Sequence, residues 1–194
     1  MADDSVKSVD AELAEAKRQA KQQLGITFAA NVPHNKALGI VFEAFEDNGI
    51  VFRLPYDLKL VGNAETGVLH GGVITALLDG CSGAAVFAAQ PRWPIATLDL
   101  RIDYLRAAEP GRAVLAFATC YKLTRNVGFT RAVAYHDTRD EPIASAVGTF
   151  MLATKRGNAA VTRATAGVAP ASDGAVESTG GGGGGGGSPS EPTP

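Results

Sequence analysis

The chain has 194 residues, 45% of them hydrophobic and 20% charged, with a formal net charge of -2. That balance describes a globular chain of one domain with appendages and excludes a broad basic surface for nucleic acid or anionic lipid. Cys81 and Cys120 are too few for a disulfide framework, and the histidines show no HExxH or CxxC partner pattern for zinc.

The first residues lack a basic region followed by an apolar stretch, so a cytoplasmic setting is expected. Val9, Leu13, Ala16, Ala20 and Leu24 recur at steps of three and four, which predicts a helical extension within residues 1–24. Gly25 would end it, and its thin, alanine-rich face would pack only lightly on the body that follows.

Residues 25–155 carry the pattern of a folded domain. Strand-like runs at 38–46 and 50–55 flank Asn48-Gly49, a hairpin signal. A loop at 56–69 leads to an apolar run long enough to raise the question of a membrane span. Asp79 and four glycines (Gly71, Gly72, Gly80 and Gly83) interrupt that run, and no basic residues flank it. A lone charge at mid-membrane is costly, so a helix from Gly71 to Ala89 enclosed in a core is expected. Pro91 and Pro94 stop it.

Four more strands are expected at 95–105, 113–123, 129–137 and 142–154. In the first of them Leu98, Leu100, Ile102 and Tyr104 alternate with Asp99, Arg101 and Asp103, one face apolar and one polar. Residues 156–194 include the run Gly180–Gly187 and no aromatic side chain. They hold too little apolar area to offset chain entropy, and a disordered tail is expected. The order predicts an α+β domain, one antiparallel sheet curled around one apolar helix. Its open sheet edges invite a second copy.

The chemistry concentrates at Gly67-Val68-Leu69-His70-Gly71-Gly72 and at Asp79. The first N–H groups of a helix point outward without partners and carry the positive end of its dipole, so they can stabilise an oxygen that gains charge. Asp79 is the only charged residue between His70 and Gln90. It lies about 10 Å along the helix from Gly72, too far for both ends to act on one small group. Two helices meeting across a dimer would bring them together, which predicts a shared site.

His70-Gly71-Gly72, Asp79 at that spacing and the strand Ala96-Thr97-Leu98-Asp99 resemble the PaaI-type acyl-CoA thioesterases of the hotdog-fold superfamily. The resemblance runs from about Leu38 to Leu152. It implies a hotdog homodimer, often paired into a tetramer, that hydrolyses acyl-CoA without metal or cofactor at sites shared between subunits. It implies Asp79 as base or nucleophile and the Gly71 N–H as the group that polarises the thioester carbonyl. Asn63 would hold the water or carboxylate, and Thr97 would orient the water. His70 and Gly72 would shape the substrate loop. No motif assigns the groups that meet the CoA phosphates; by charge alone Arg106 and Arg125 are candidates. A small aryl or medium-chain acyl group would lie in a tunnel near Phe87, Leu78 and Phe129.

Plainer roles stand beside these. Asn63 suits a turn, Thr97 suits a strand, the paired glycines suit close helix packing, and the cysteines suit buried thiols. Two other functions fit the same fold: a non-catalytic acyl-CoA-binding protein, and an enoyl-CoA hydratase or dehydratase working through His70 and Asp79. A DNA-binding regulator is disfavoured, because residues 1–24 offer a single helix.

Overall fold

The computed structural model describes residues 2–46, 48–91 and 94–152; the expected tail lies outside them. Helices α1 (Ala2–Asn31) and α2 (Pro33–Leu38) precede a hairpin of β1 (Val41–Glu46) and β2 (Gly49–Leu54). A small hairpin follows, β3 (Val61–Asn63) and β4 (Val68–Leu69), and it runs into α3 (Gly71–Ala89). The chain ends in β5 (Ile95–Tyr104), β6 (Val114–Leu123), β7 (Val127–Tyr135) and β8 (Ala144–Leu152). Six strands form one antiparallel sheet in the order β1-β2-β6-β7-β8-β5.

Helix α3 is long and apolar enough to cross a membrane by composition, with a mean hydropathy of 1.6. Here it lies across the inner face of that sheet, against β2, β6 and β7. Leu77, Leu78, Cys81, Ala84 and Val86 are fully buried. The sheet makes room for them with small residues. Ala116, Ala118, Ala132, Ala134, Ala144 and Ala146 are all buried. Large side chains from the helix thus meet small ones from the strands, the complementarity that dense interiors require. Burying each leucine contributes about 1.5–3 kcal/mol.

Besides the small β3–β4 hairpin, which lies in the stretch 56–69 expected as a loop, three features depart from the sequence pattern. First, α1 passes through Gly25 and continues to Asn31. Gly25 is a contact residue rather than a stop, because a Cβ there would lie 2.4 Å from the Phe42 ring. Second, the expected start of the first strand belongs to α2. Pro33 opens this short helix, and Gly39 closes it at φ 76°. Third, β5 does not alternate along its whole length. Its pairing with β8 shifts between Thr97 and Asp99, leaving Leu98 as an extra residue. A bulge reverses which side chains face inward. Leu98 is therefore 56% exposed, and Thr97 faces α3 in its place.

The fit of α3 on the sheet is close at Gly128, where a Cβ would lie 2.8 and 2.9 Å from the two methyl carbons of Val86. Gly128→Ala is expected to destabilise the fold by about 1–3 kcal/mol, the usual range for overpacking a full core. Urea unfolding checks this, and an unchanged midpoint would show that the helix rides more loosely than its contacts indicate.

Candidate active site

Helix α3 opens with an unusual cap. His70 has extended backbone angles, and its Nδ1 accepts the Gly72 N–H at 2.9 Å. Its carbonyl accepts the Val73 N–H at 2.9 Å. A ring nitrogen that accepts carries no proton, so the proton of this neutral imidazole is on Nε2. His70 thus satisfies two of the helix's first donors. Among the described residues the Gly71 N–H donates to nothing, and it stands at the positive end of the helix.

The two glycines have different reasons to be glycine. A Cβ on Gly72 would lie 2.9 Å from His70 Nδ1 and would crowd the cap. A Cβ on Gly71 would meet nothing closer than the Tyr104 ring, at an ordinary 3.5 Å. The chain's own packing leaves the approach to Gly71 open. A cavity of about 310 Å³ lies there, lined by Gly71, Ile74, Tyr104 and Arg106 among others. The Tyr104 hydroxyl donates to the Gly71 carbonyl at 2.8 Å and sits 2.6 Å from Thr75 Oγ1.

Asp79 sits farther along the same helix and is half-buried. Its Oδ1 accepts a hydrogen bond from Thr97 Oγ1 at 2.8 Å. Among the described residues Oδ2 accepts none. Asp79 and Thr97 line a cavity of about 350 Å³, whose other walls include Phe28, Val32, Asn35, Gly83 and Phe150. One strand therefore holds both chemical ends of α3: Thr97 grips Asp79, and Tyr104 grips the peptide of Gly71. The two ends are eight residues, or about 12 Å, apart along the helix.

Of the residues singled out from the sequence, Asp79 and Thr97 come together. His70, Gly71 and Gly72 gather at the other end of the helix, behind the β3–β4 hairpin that carries Asn63. Asn63 Oδ1 accepts the N–H groups of Glu65 and Thr66 at 2.9 and 3.1 Å, so its side chain closes a turn. It does not line the cavity of Asp79. Arg106 lines the cavity at Gly71, where it also donates to the Glu141 carbonyl.

The expected tunnel needs correction. Leu78 is sealed in the core, and Phe129 lies on the outer face of the sheet beside Tyr121. Only Phe87 points toward the N-terminal helix, 5.7 Å from Phe28 between ring centres. Cys81 is no nucleophile: its Sγ lies 3.4 and 3.3 Å from the Ile50 and Ala116 carbonyl oxygens, with one proton to donate between them, and burial pushes the thiol pKa far up. Within one copy His70 and Asp79 are not paired: the His70 ring caps α3 and Asp79 is held by Thr97.

The sequence pattern missed Phe28, Asn35 and Tyr104. Pro33 followed by Gly39 carried a signal for α2 and hence for Asn35, since proline favours a helix start and glycine its end. Asn35 is 3% exposed, and among the described residues its Nδ2 has no hydrogen-bond partner.

This fold, a six-stranded antiparallel sheet around one apolar helix, is that of the hotdog thioester hydrolases. Residues 66–143 match the thioesterase superfamily, and the chain belongs to it. It is 30% identical over 148 residues to the medium/long-chain acyl-CoA thioesterase YigI of Escherichia coli, an alignment covering 69% of this chain and 94% of that one. A Pseudomonas aeruginosa protein of known crystal structure is 42% identical, with a TM-score of 0.63 over 69% of this chain and 99% of its own. The E. coli PaaI protein of the phenylacetic acid degradation operon shares the fold at 18% identity, with a TM-score of 0.61 over 71% and 96% of the two chains.

The cap can be tested apart from any chemistry. His70→Ala is expected to lose about 0.5–2 kcal/mol of stability, the usual cost of deleting an N-cap acceptor. His70→Asn keeps an acceptor and should recover most of it. Equal losses in the two variants, read by urea unfolding, would remove the capping role.

Proposed function

We propose that the chain hydrolyses medium- or long-chain acyl-CoA to the free acid and CoA, at sites formed where two copies pair through β5. The observation that carries this is the unpartnered Gly71 N–H, open to approach, on the same helix as a cavity-lining carboxylate that it cannot reach. The name of the E. coli relative supports a linear acyl chain. The aryl alternative draws no support from PaaI, whose likeness is one of fold.

In this proposal the thioester oxygen sits on the Gly71 N–H of one copy. Asp79 of the other copy faces the carbonyl carbon. The Thr97 hydroxyl occupies Oδ1 and fixes the carboxylate, which leaves Oδ2 to take a proton from water. The water oxygen adds to the carbonyl carbon, and the developing oxyanion is held by the N–H and the helix dipole. The carbonyl re-forms, the C–S bond breaks, and the thiolate of CoA leaves and is protonated by the proton Asp79 took. Asn63, whose Oδ1 closes the β3–β4 turn, would meet the water through its amide Nδ2. Arg106 is placed to face a CoA phosphate.

The pairing edge is exposed. β5 runs for ten residues and pairs only with β8 among the described residues. The other edge strand, β1, is short, bulged and covered by α1. Leu98 and Leu105 on or beside β5 are each 56% exposed. Long bare edges favour pairing. On the outer sheet face Tyr121, Val147 and Met151 are exposed, which supports a further pairing of dimers into a tetramer.

Release of free thiol from a panel of acyl-CoAs tests the activity. Asp79→Ala should lower kcat by about 10²–10⁴-fold, as loss of a general base does. Gly71→Pro is a sharper probe. Proline suits the first position of a helix, and His70 already has the angles that a residue before proline needs. It deletes one N–H and should cost about 10²–10³-fold in kcat. Mixing the two inactive variants and allowing exchange should restore activity, because one site of each mixed dimer holds intact copies of both groups. No recovery in demonstrated mixed dimers would place the site within one copy.

A further inference from the structure

The cavity of Asp79 does not end at its own walls. Phe28 and Val32 line it on one side and also line a second cavity of about 670 Å³. The rest of that second cavity is formed by Ala20, Gln23, Leu24, Thr27 and Asn31 of α1, with Phe87 of α3. Phe28 and Val32 are the residues that border both spaces.

The face of α3 that joins them is laid out for an extended chain. Asp79, Gly83 and Phe87 follow at four-residue steps and share one side of the helix. Gly83 lines the inner cavity, and a Cβ there would lie 3.5 Å from the Phe28 ring. The absence of a side chain at Gly83 keeps a notch beneath that ring. Phe87 stands about 12 Å beyond Asp79, against Phe28. The exposed lining of the outer cavity is mostly apolar, as a hydrocarbon requires and a phosphate does not.

We infer that α1 is the specificity element of the enzyme: the distal part of a long acyl chain passes Phe28 and Val32 and lies between α1 and Phe87. This rests on the thioesterase function proposed above and adds to it the residues that set chain length. Short acyl groups end in the inner cavity and never meet α1. Long ones depend on it. The N-terminal extension is then part of the substrate site, and its thin apolar face is thin because a ligand completes it.

The test is the dependence of kcat/KM on chain length, measured with saturated acyl-CoAs from butanoyl to palmitoyl. Thr27 and Gln23 are exposed and line only the outer cavity. Thr27→Trp and Gln23→Trp each set a bulky ring in it and leave Asp79 unaltered. Both should lower kcat/KM for the long chains by about tenfold or more and leave the short ones unchanged, a discrimination within the range one apolar contact provides. An equal effect at all lengths, or none, in variants that remain folded would overturn this inference and leave the thioesterase standing. Failure of the unaltered chain to hydrolyse any member of the series would overturn both.

Discussion

The whole structure depends on one helix being enclosed while its first N–H group is left open. An apolar helix is easily buried; the difficulty lies at its end, where unpaired donors must not be sealed away from a partner. His70 resolves this by taking the Gly72 N–H on its ring and the Val73 N–H on its carbonyl. What remains is a single aimed donor at Gly71. The alanine-lined inner sheet face then fixes where that donor points, because α3 has no freedom to roll on strands that fit it so closely at Gly128.

Strand β5 links this packing to the chemistry. It lies at the sheet edge, where a side chain can reach across to α3 and the backbone still has an unpaired side. The bulge at Leu98 turns Thr97 onto Asp79 while Leu100 and Ile102 keep their places against the core. Without the extra residue, the strict alternation of the sequence would turn Leu98 toward Asp79 and Thr97 toward solvent. Bulges beside active sites commonly re-aim one side chain in this way.

This explains what the sequence disclosed and what it hid. The bounds of α3 were legible because glycines open it and prolines follow it. Asp79 was legible because one charge in an apolar run demands a reason. The six strands of the main sheet were legible as strand-like runs between turn residues, and the sheet around a helix followed from them. The bulge was not, since a register shift is a property of two strands and β8 had to be in view. Gly25 was misread because glycine serves both as a helix stop and as a point of close approach, and only the Phe42 ring decides between them. The walls of the Asp79 cavity were hidden for a similar reason. Phe28 and Asn35 come from α1 and α2, far from the motif in sequence, and nothing in their own spacing refers to it.

The separation of the donor from the carboxylate has a consequence for assembly. A straight helix cannot bring its first residue to its ninth, so no local adjustment of α3 could complete a site within one copy. A two-fold axis can, because it sets two such helices side by side in opposite directions, with each start beside the other's Asp79. The contact is self-complementary and yields two equivalent sites at once. In the proposed dimer β5 supplies both the pairing edge and the residues that hold the reacting groups. Any slip in its pairing would displace Thr97 and Tyr104 together with the interface. On that proposal assembly and catalysis would be one geometric requirement, and the exposed apolar side chains of Leu98, Tyr104 and Leu105 would be covered by it.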